Sequence, residues 1–325
     1  MVSLSPTSCV PRSRGYELDP EHFGFLADSS AHVDDPAWLR QKMADDGYLF
    51  LKGFFKREDV LKARQLILDR FQEKGFLDGN HSAQEGILAN IKIANERTAF
   101  NATAAGNETV RKFNPVDMVK GNQPLWDLLN TGRIMEFFGT FFGTPAHRFK
   151  HIWFRGVGKG LGTPPHCDWV YMSRGTTNLY TTWVTLGDTP LEVGGLMVLE
   201  GSHKKGDRLK HYLSRDVDDY CTTSPNVEKL KSGEMMYEWD GVLTKNPYAL
   251  REKLGGRWLT AEEYELGDLL IFTRQTIHAS LDNQTDRVRI SVDTRYQPAN
   301  EPSDERWNID DSEPYDKRYK RGRIC

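Results

Sequence analysis

An α+β protein whose core is a β-sandwich or jelly roll is the fold class this sequence predicts, on three observations. Helix-like amphipathic stretches come first, between Asp35 and about residue 148. From Phe149 the pattern changes to short alternating runs of aromatic and β-branched residues. Gly, Pro, Asn and Asp separate those runs at close intervals.

The elements follow in order. Residues 1–34 are polar and proline-punctuated, and are expected to form an arm that wraps the domain or is loose. DPAWLRQKMADDG predicts a short capped helix and YLFLKGFF a strand. REDVLKARQLILDRFQEKG predicts a longer amphipathic helix with Val60, Leu61, Ala63, Leu66, Ile67 and Phe71 on one side, and PLWDLLNTGRIMEFFGTFFG another helix. FKHIWFRGV, NLYTTWVTLGD, GGLMVLEGSH, GDLLIFTRQTIHAS and RVRISVDTRYQ predict strands. A single domain over 35–300 is expected, its sheet core at about 149–298. The polar, irregular stretch 204–265 reads as an insertion that could lie over one end, and the charged residues 301–325 as a surface tail. There is no internal repeat.

At 325 residues, 38% hydrophobic and 27% charged, the chain is large enough for a full core. A net charge of −3 with mixed signs gives no reason to expect nucleic acid or a membrane surface as partner. The N-terminus lacks the pattern of a secretion signal, so a cytosolic protein is expected. Cys9, Cys167, Cys221 and Cys325 lie far apart and are expected to be reduced thiols. GVGKGLG at 156–162 lacks the spacing of a phosphate loop and reads as a glycine-rich lead into the next segment.

That segment is TPPHCDWVYM, which places His166 and Asp168 two positions apart. On an extended strand such residues point the same way and could grip one ion together, with Cys167 facing away. An HxD by itself is a weak signal, so further ligands must come from elsewhere. His22, His32 and His81 stand in polar, loop-like contexts, and His147, His151 and His211 have no companion at strand spacing. His203, ending GGLMVLEGSH, suits a turn or packing role as well as a ligand's. His278 ends the buried-looking run GDLLIFTRQTIH.

In RVRISVDTRYQ, Val288, Ile290, Val292 and Thr294 share one face, and Arg287, Arg289, Ser291, Asp293 and Arg295 the other. A hairpin turning at Asn283 to Thr285 would bring Arg289 beside His278. Such a charged face is most often solvated. Arg289 and Ser291 also suit another task, holding the far carboxylate of a dicarboxylic cosubstrate by charge-assisted hydrogen bonds. Two histidines and a carboxylate leave three metal positions open, the arrangement of non-haem Fe(II) oxygenases. A hydrolytic zinc site leaves one open and needs no nearby arginine.

These residues resemble the phytanoyl-CoA dioxygenase family of Fe(II)/2-oxoglutarate-dependent oxygenases, from DGYLFLKGFF through RISVDTRYQ. The resemblance rests on HCD at 166–168, on TTWVTLGD and GGLMVLEGSH, and on His278 followed eleven residues later by Arg289. It implies a double-stranded β-helix, a jelly roll backed by helices. It implies Fe(II) held by His166, Asp168 and His278, 2-oxoglutarate held by Arg289 and Ser291 in a pocket lined by Trp183, and O2 as the second cosubstrate. His203 would then be a structural turn residue. The implied reaction hydroxylates an unactivated C–H bond of a small molecule and releases succinate and CO2, although desaturation or ring closure would use the same centre. Halogenases of the family carry a small residue in place of the metal carboxylate, so Asp168 argues for oxygenation. Trp169, Tyr171 and Arg174 directly follow the HxD and could close over a substrate, though aromatic residues in such a loop more often pack. No CoA-selective site stands out.

Two other readings make different demands. A cupin-like metal-dependent oxygenase or isomerase without 2-oxoglutarate would leave Arg289 dispensable. A non-enzymatic β-sandwich binding module with a coincidental HxD would bind no Fe(II) tightly.

Overall fold

The computed structural model of the protein describes residues 10–89, 92–95, 110–113, 115–232, 234–235 and 238–308. Two sheets dominate a mixed α/β architecture. The larger has the strand order Tyr48–Leu51, Leu269–Thr273, Tyr180–Thr185, Arg289–Pro298, Ala146–Arg148, with Trp153–Val157 also paired to Arg289–Pro298. All of these pairings are antiparallel. The smaller runs His278–Ser280, Leu196–Leu199, Trp258–Thr260, Phe23–Phe25, and its last pair is parallel.

Strand alternation sorts the larger sheet's side chains onto two faces. Leu49, Leu51, Val184, Leu269, Ile271, Ile290 and Val292 share an apolar cluster with helical residues such as Ile67, Phe71 and Phe138. The intervening positions Tyr48, Phe50, Trp183, Leu270 and Phe272 pack with Leu196, Val198 and Leu259 of the smaller sheet. Helices therefore cover one face and the second sheet the other. Each such side chain, fully buried, contributes about 1.5–3 kcal/mol.

The helices start and stop where their sequences say. Asp35 accepts a hydrogen bond from the Trp38 N–H (3.0 Å) and Pro36 fills the first position of the Pro36–Asp46 helix, where no N–H is needed. Gly47 ends it at φ 79°, donating to the Met43 carbonyl. The Arg57–Glu73 helix buries Val60, Ala63, Arg64, Ile67, Leu68 and Phe71, a stripe spaced by threes and fours. Leu61 was expected on that stripe but is exposed, since it lies about a quarter-turn from the stripe's centre.

Several expectations need correction. PLWDLLNTGRIMEFFGTFFG forms two helices, Gln123–Asn130 and Gly132–Phe142, because Thr131 is extended (φ −135°, ψ 169°) and gives its hydroxyl to the Asp127 carbonyl at 2.8 Å. GDLLIFTRQTIHAS divides too, Leu269–Thr273 lying in the larger sheet and His278–Ser280 in the smaller. The expected hairpin between His278 and Arg289 does not form. His278–Ser280 pairs with the Leu196–Leu199 strand, while Arg289–Pro298 pairs with Tyr180–Thr185 and Trp153–Val157.

The stretch expected to be an insertion contributes a strand to the smaller sheet, Trp258–Thr260, and a second short strand, Glu263–Tyr264, paired with Thr189–Pro190; before them come the helices Lys210–Leu213, Val217–Thr222, Val227–Ser232 and Pro247–Leu254. Residues 10–34 lie against the sheets. Phe23–Phe25 joins the smaller one, and the Asp282 carboxylate accepts from the N–H groups of Arg14 (2.7 Å), Gly15 (2.8 Å) and Gly162 (2.6 Å). The start of the charged tail is not a surface segment either: Asp304, Arg306 and Trp307 are buried, with Arg306 bridging Asp216 (3.0 Å) and Asp304 (2.6 Å). The rest of that tail, 309–325, lies outside the described residues.

Cys167 is free and buried, but Cys221 is disulfide-bonded, against the expectation of reduced thiols. Cys9 and Cys325 lie outside the described residues. Among the described residues, no helix is long and apolar enough to cross a membrane.

Gly162 shows how tightly the chain passes before the HxD segment. A Cβ there would meet the Ser280 carbonyl oxygen at 2.2 Å and the Leu281 oxygen at 2.7 Å, both backbone atoms. Gly162→Ala is expected to lower unfolding free energy by about 1–3 kcal/mol in a urea titration. Gly206→Ala, with nothing within 4 Å, is expected to stay within about 0.5 kcal/mol of the parent.

Candidate active site

Backbone pairing brings the first two candidate ligands together. The His166 N–H donates to the His278 carbonyl at 3.1 Å and the His278 N–H returns a bond to the His166 carbonyl at 3.0 Å, adding the HxD segment beside His278–Ser280. Prolines at 164 and 165 keep the approach extended. Asp168 then opens a short 3₁₀ turn, Asp168–Val170, and Cys167 points away, its Sγ donating to the Gln275 carbonyl at 3.3 Å.

One nitrogen or oxygen from each of His166, Asp168 and His278 lies within 4.8 Å of the others, and all three residues are buried. His166 Nδ1 faces the Pro164 carbonyl at 2.8 Å and His278 Nδ1 the Thr276 carbonyl at 3.1 Å. Protons held there leave each Nε2 with a free lone pair. Asp168 Oδ2 accepts from Arg295 Nη2 at 2.7 Å and from the Thr181 hydroxyl, while Oδ1 stands 3.7 Å from His278 Nε2.

Burial, reinforced by the neighbouring His278, pushes the His166 imidazole down to about 3, and burial lowers His278 as well. Burial alone would raise Asp168. Arg295 and the two imidazoles outweigh it and hold the carboxyl below its usual range. Two neutral imidazoles and one carboxylate are a donor set suited to a divalent transition metal.

The strand Arg289–Pro298 carries the site across the larger sheet. Ser291 is in register with Thr185 and Arg155, Asp293 with Trp183 and Trp153, and Arg295 with Thr181. The polar face of this strand is therefore turned inward rather than solvated: Arg289, Ser291, Asp293 and Arg295 are all at most 4% exposed. A second sheet covers the face that a single sheet would leave to water.

Arg289 gives Nη1 to the Gly194 carbonyl at 2.5 Å, and among the described residues no carboxylate pairs with it. Burial pushes its guanidinium down to about 10. Its Nε, the Ser291 hydroxyl and the Trp183 indole N–H are buried without a hydrogen-bond partner among the described residues. A buried donor left unmade costs about 1–3 kcal/mol, and these three stand on adjacent strands of one sheet, where an acceptor from outside the chain could meet them.

The family model for phytanoyl-CoA dioxygenase (PhyH) matches residues 43–291. The chain belongs to the phytanoyl-CoA dioxygenase family. Its chemistry is accordingly an Fe(II)- and 2-oxoglutarate-dependent oxidation by O2. Two family relatives are named 1-deoxypentalenic acid 11-beta-hydroxylase. That of Streptomyces arenae is 26% identical over 287 residues, covering 85% of this chain and 86% of that protein; that of Streptomyces exfoliatus is 26% identical over 282, covering 84% of each. Similar solved structures include the epimerase SnoN in complex with Fe3+, alpha ketoglutarate and nogalamycin RO, at 21% identity and TM-score 0.49 over 83% of this chain and 87% of that one. EctD from S. alaskensis with 2-oxoglutarate and 5-hydroxyectoine is 16% identical with TM-score 0.49, over 94% of this chain and 88% of that one.

Within this family member the three residues after the HxD part company. The Arg274 guanidinium lies 3.9 Å from the Trp169 ring centroid, and Arg174 pairs with Asp218 (3.3 Å) and Asp219 (3.1 Å). Both are engaged by neighbouring structure. Tyr171 stays at the site, edge-on to His166 with 5.7 Å between centroids, and gives its hydroxyl to the Asp240 carbonyl at 2.6 Å. The 240–243 segment lies against the HxD: Leu243 N–H donates to the Pro165 carbonyl, and Tyr212 links the Gly241 carbonyl (2.7 Å) to the Cys167 N–H (3.1 Å). His203 is elsewhere, Nε2 on the Ala44 carbonyl and its ring filling the space a Cβ at Gly47 would need.

Sequence reasoning missed Thr181, Arg155, Asp293 and Arg295 as members of the site. The alternating pattern placed the last two on the right face, but nothing local tells which carboxylate an arginine will meet.

A histidine buried as the neutral form resists protonation in the folded state, while the unfolded chain takes up its proton below about pH 6.5. The unfolded state thus binds more protons between about pH 6.5 and 3, and stability falls as pH falls through that window. In urea titrations of metal-free protein, the midpoint is expected to drop from pH 6.5 to pH 4, and to drop less in His166→Phe.

Proposed function

We propose that this protein hydroxylates an unactivated C–H bond of a small molecule, with His166, Asp168 and His278 holding Fe(II) and with Arg289, Ser291 and Trp183 holding 2-oxoglutarate. The observation that carries the assignment is the pairing of a buried His–Asp–His cluster with a buried arginine that has no carboxylate of its own among the described residues. We also read the two facing sheets as a double-stranded β-helix, with the ligands where the smaller sheet meets the HxD segment.

Iron, when bound, would activate O2, which is the oxidant, and 2-oxoglutarate would give up the two balancing electrons and leave as succinate and CO2. The chain's own groups supply placement. The backbone carbonyls of Pro164 and Thr276 fix the imidazole tautomers so that both Nε2 atoms face the metal. Arg289 and Ser291 present a charged donor and a neutral one to a carboxylate, and the Trp183 N–H adds a third. Tyr171 and the 240–243 segment cover the HxD side and keep water from it. Hydroxylation is favoured over halogenation because Asp168 fills the position a halide would need. The hydroxylase relatives named for a small carboxylic acid support a small-molecule substrate.

A cupin-like reading without 2-oxoglutarate gives no account of the unpaired donors on Arg289, Ser291 and Trp183. Anaerobic titration of metal-free protein with Fe(II) and then 2-oxoglutarate separates the two. A visible charge-transfer band is expected, lost in His278→Ala. In Arg289→Ala the apparent affinity for 2-oxoglutarate should fall by roughly 1.5–3 kcal/mol per charged bond removed, about ten- to a hundredfold. Iron binding without any band would sink the 2-oxoglutarate assignment.

A further inference from the structure

Asp168 has two carboxylate oxygens, and only one is turned toward the imidazoles. Oδ2 is taken by Arg295 Nη2 at 2.7 Å and by the Thr181 hydroxyl, whereas Oδ1 stands 3.7 Å from His278 Nε2. Arg295 is itself held on three sides. Its Nη1 meets Asp293 Oδ2 at 2.6 Å, its guanidinium carbon lies 3.9 Å from the Trp153 ring centroid, and its side chain is 3% exposed. Asp293 continues the chain outward, its Oδ1 accepting from Arg155 Nε at 2.9 Å, and Arg155 is about one-third exposed. The order Arg155, Asp293, Arg295, Asp168 therefore runs as alternating charge from the sheet's edge strand to the candidate metal.

We propose that Arg295 is a positioning residue that fixes Asp168 as a one-oxygen metal ligand, and that Asp293, Trp153 and Arg155 serve to hold Arg295. The inference rests on the assignment of Asp168 as a ligand. Burying two carboxylates and an arginine costs several kcal/mol per ion before their attractions repay it, so this is not an economical way to stabilise a sheet. It is an effective way to set one carboxylate's orientation. A guanidinium is planar and forked, so by spanning Asp168 and Asp293 it removes the rotation about χ2 that would let Asp168 offer both oxygens to a metal. Thr181 closes the remaining lone pair of Oδ2. With one oxygen committed, the carboxylate would offer a bound metal a single donor and leave other positions for cosubstrates.

The test uses Co(II) as a spectroscopic stand-in for Fe(II), added anaerobically to the full-length metal-free protein. Arg295→Lys keeps the charge but cannot span both carboxylates. Co(II) affinity is expected to fall about ten- to a hundredfold, the usual effect of losing a group that orients a metal ligand, and the Co(II) d–d bands are expected to move. Arg148→Lys is the comparison: Arg148 is also buried in the larger sheet, but bonds Asn130 and Thr294, and its Co(II) spectrum should match the parent's. If Arg295→Lys is not recovered folded, Asp293→Asn carries the test, since it leaves Arg295 charged while loosening its far end, and the d–d bands should shift in the same sense. A folded variant with parental affinity and spectrum overturns the proposal. Absence of Co(II) binding in the parent, or parental binding in His166→Ala, would instead overturn the ligand assignment on which it rests.

Discussion

The strand Arg289–Pro298 faces inward with Arg289, Ser291, Asp293 and Arg295, and the site depends on that constraint. Two arginines and a carboxylate cannot sit between two sheets unless each charge finds a partner or a ligand. Asp293 and Asp168 provide for Arg155 and Arg295. Among the described residues, Arg289 is left with only the Gly194 carbonyl. The same alternation that forces these groups inward sends Ile290 and Val292 outward into the helical layer, so the register cannot slip without losing the core.

The metal end of the site is built by a different device. Leu269–Thr273 belongs to one sheet and His278–Ser280 to the other, and the chain between them carries His278 across the gap. There it meets His166 through two reciprocal backbone bonds, which bring the two imidazoles side by side. Thr276 does two jobs at this crossing, its hydroxyl anchoring on the Gly47 carbonyl at 2.8 Å and its own carbonyl orienting His278. The helix end at Gly47 is thereby tied to the ligand set, and His203 packs against the same end as a structural residue.

The two ends meet on opposite walls of one interior. The smaller sheet and its HxD extension bring the imidazoles, the larger sheet brings the cations, and Asp168 joins them by facing His278 with one oxygen and Arg295 with the other. A carboxylate so placed can serve both as a metal donor and as the counter-ion of a buried guanidinium. Arg295 keeps it ionised although burial opposes the charge.

Much of this was legible in the chain. The HxD spacing, the histidine ending an apolar run and the arginine eleven residues on are local or near-local signals, and strand alternation correctly grouped Arg289, Ser291, Asp293 and Arg295 on one face. Caps at Asp35 and Gly47 marked the first helix, because capping is decided within a turn of chain. What alternation could not say is which face is wet, since that depends on whether another sheet lies above it. Nor could it say that GDLLIFTRQTIHAS changes sheets, that no hairpin joins His278 to Arg289, or that Arg306 and Trp307 of the charged tail would be buried. The pairing of Arg295 with Asp168, 127 residues apart, was equally out of reach. Residue type and period are carried by the sequence itself; partner, sheet and solvent exposure are decided only when distant strands close on one another.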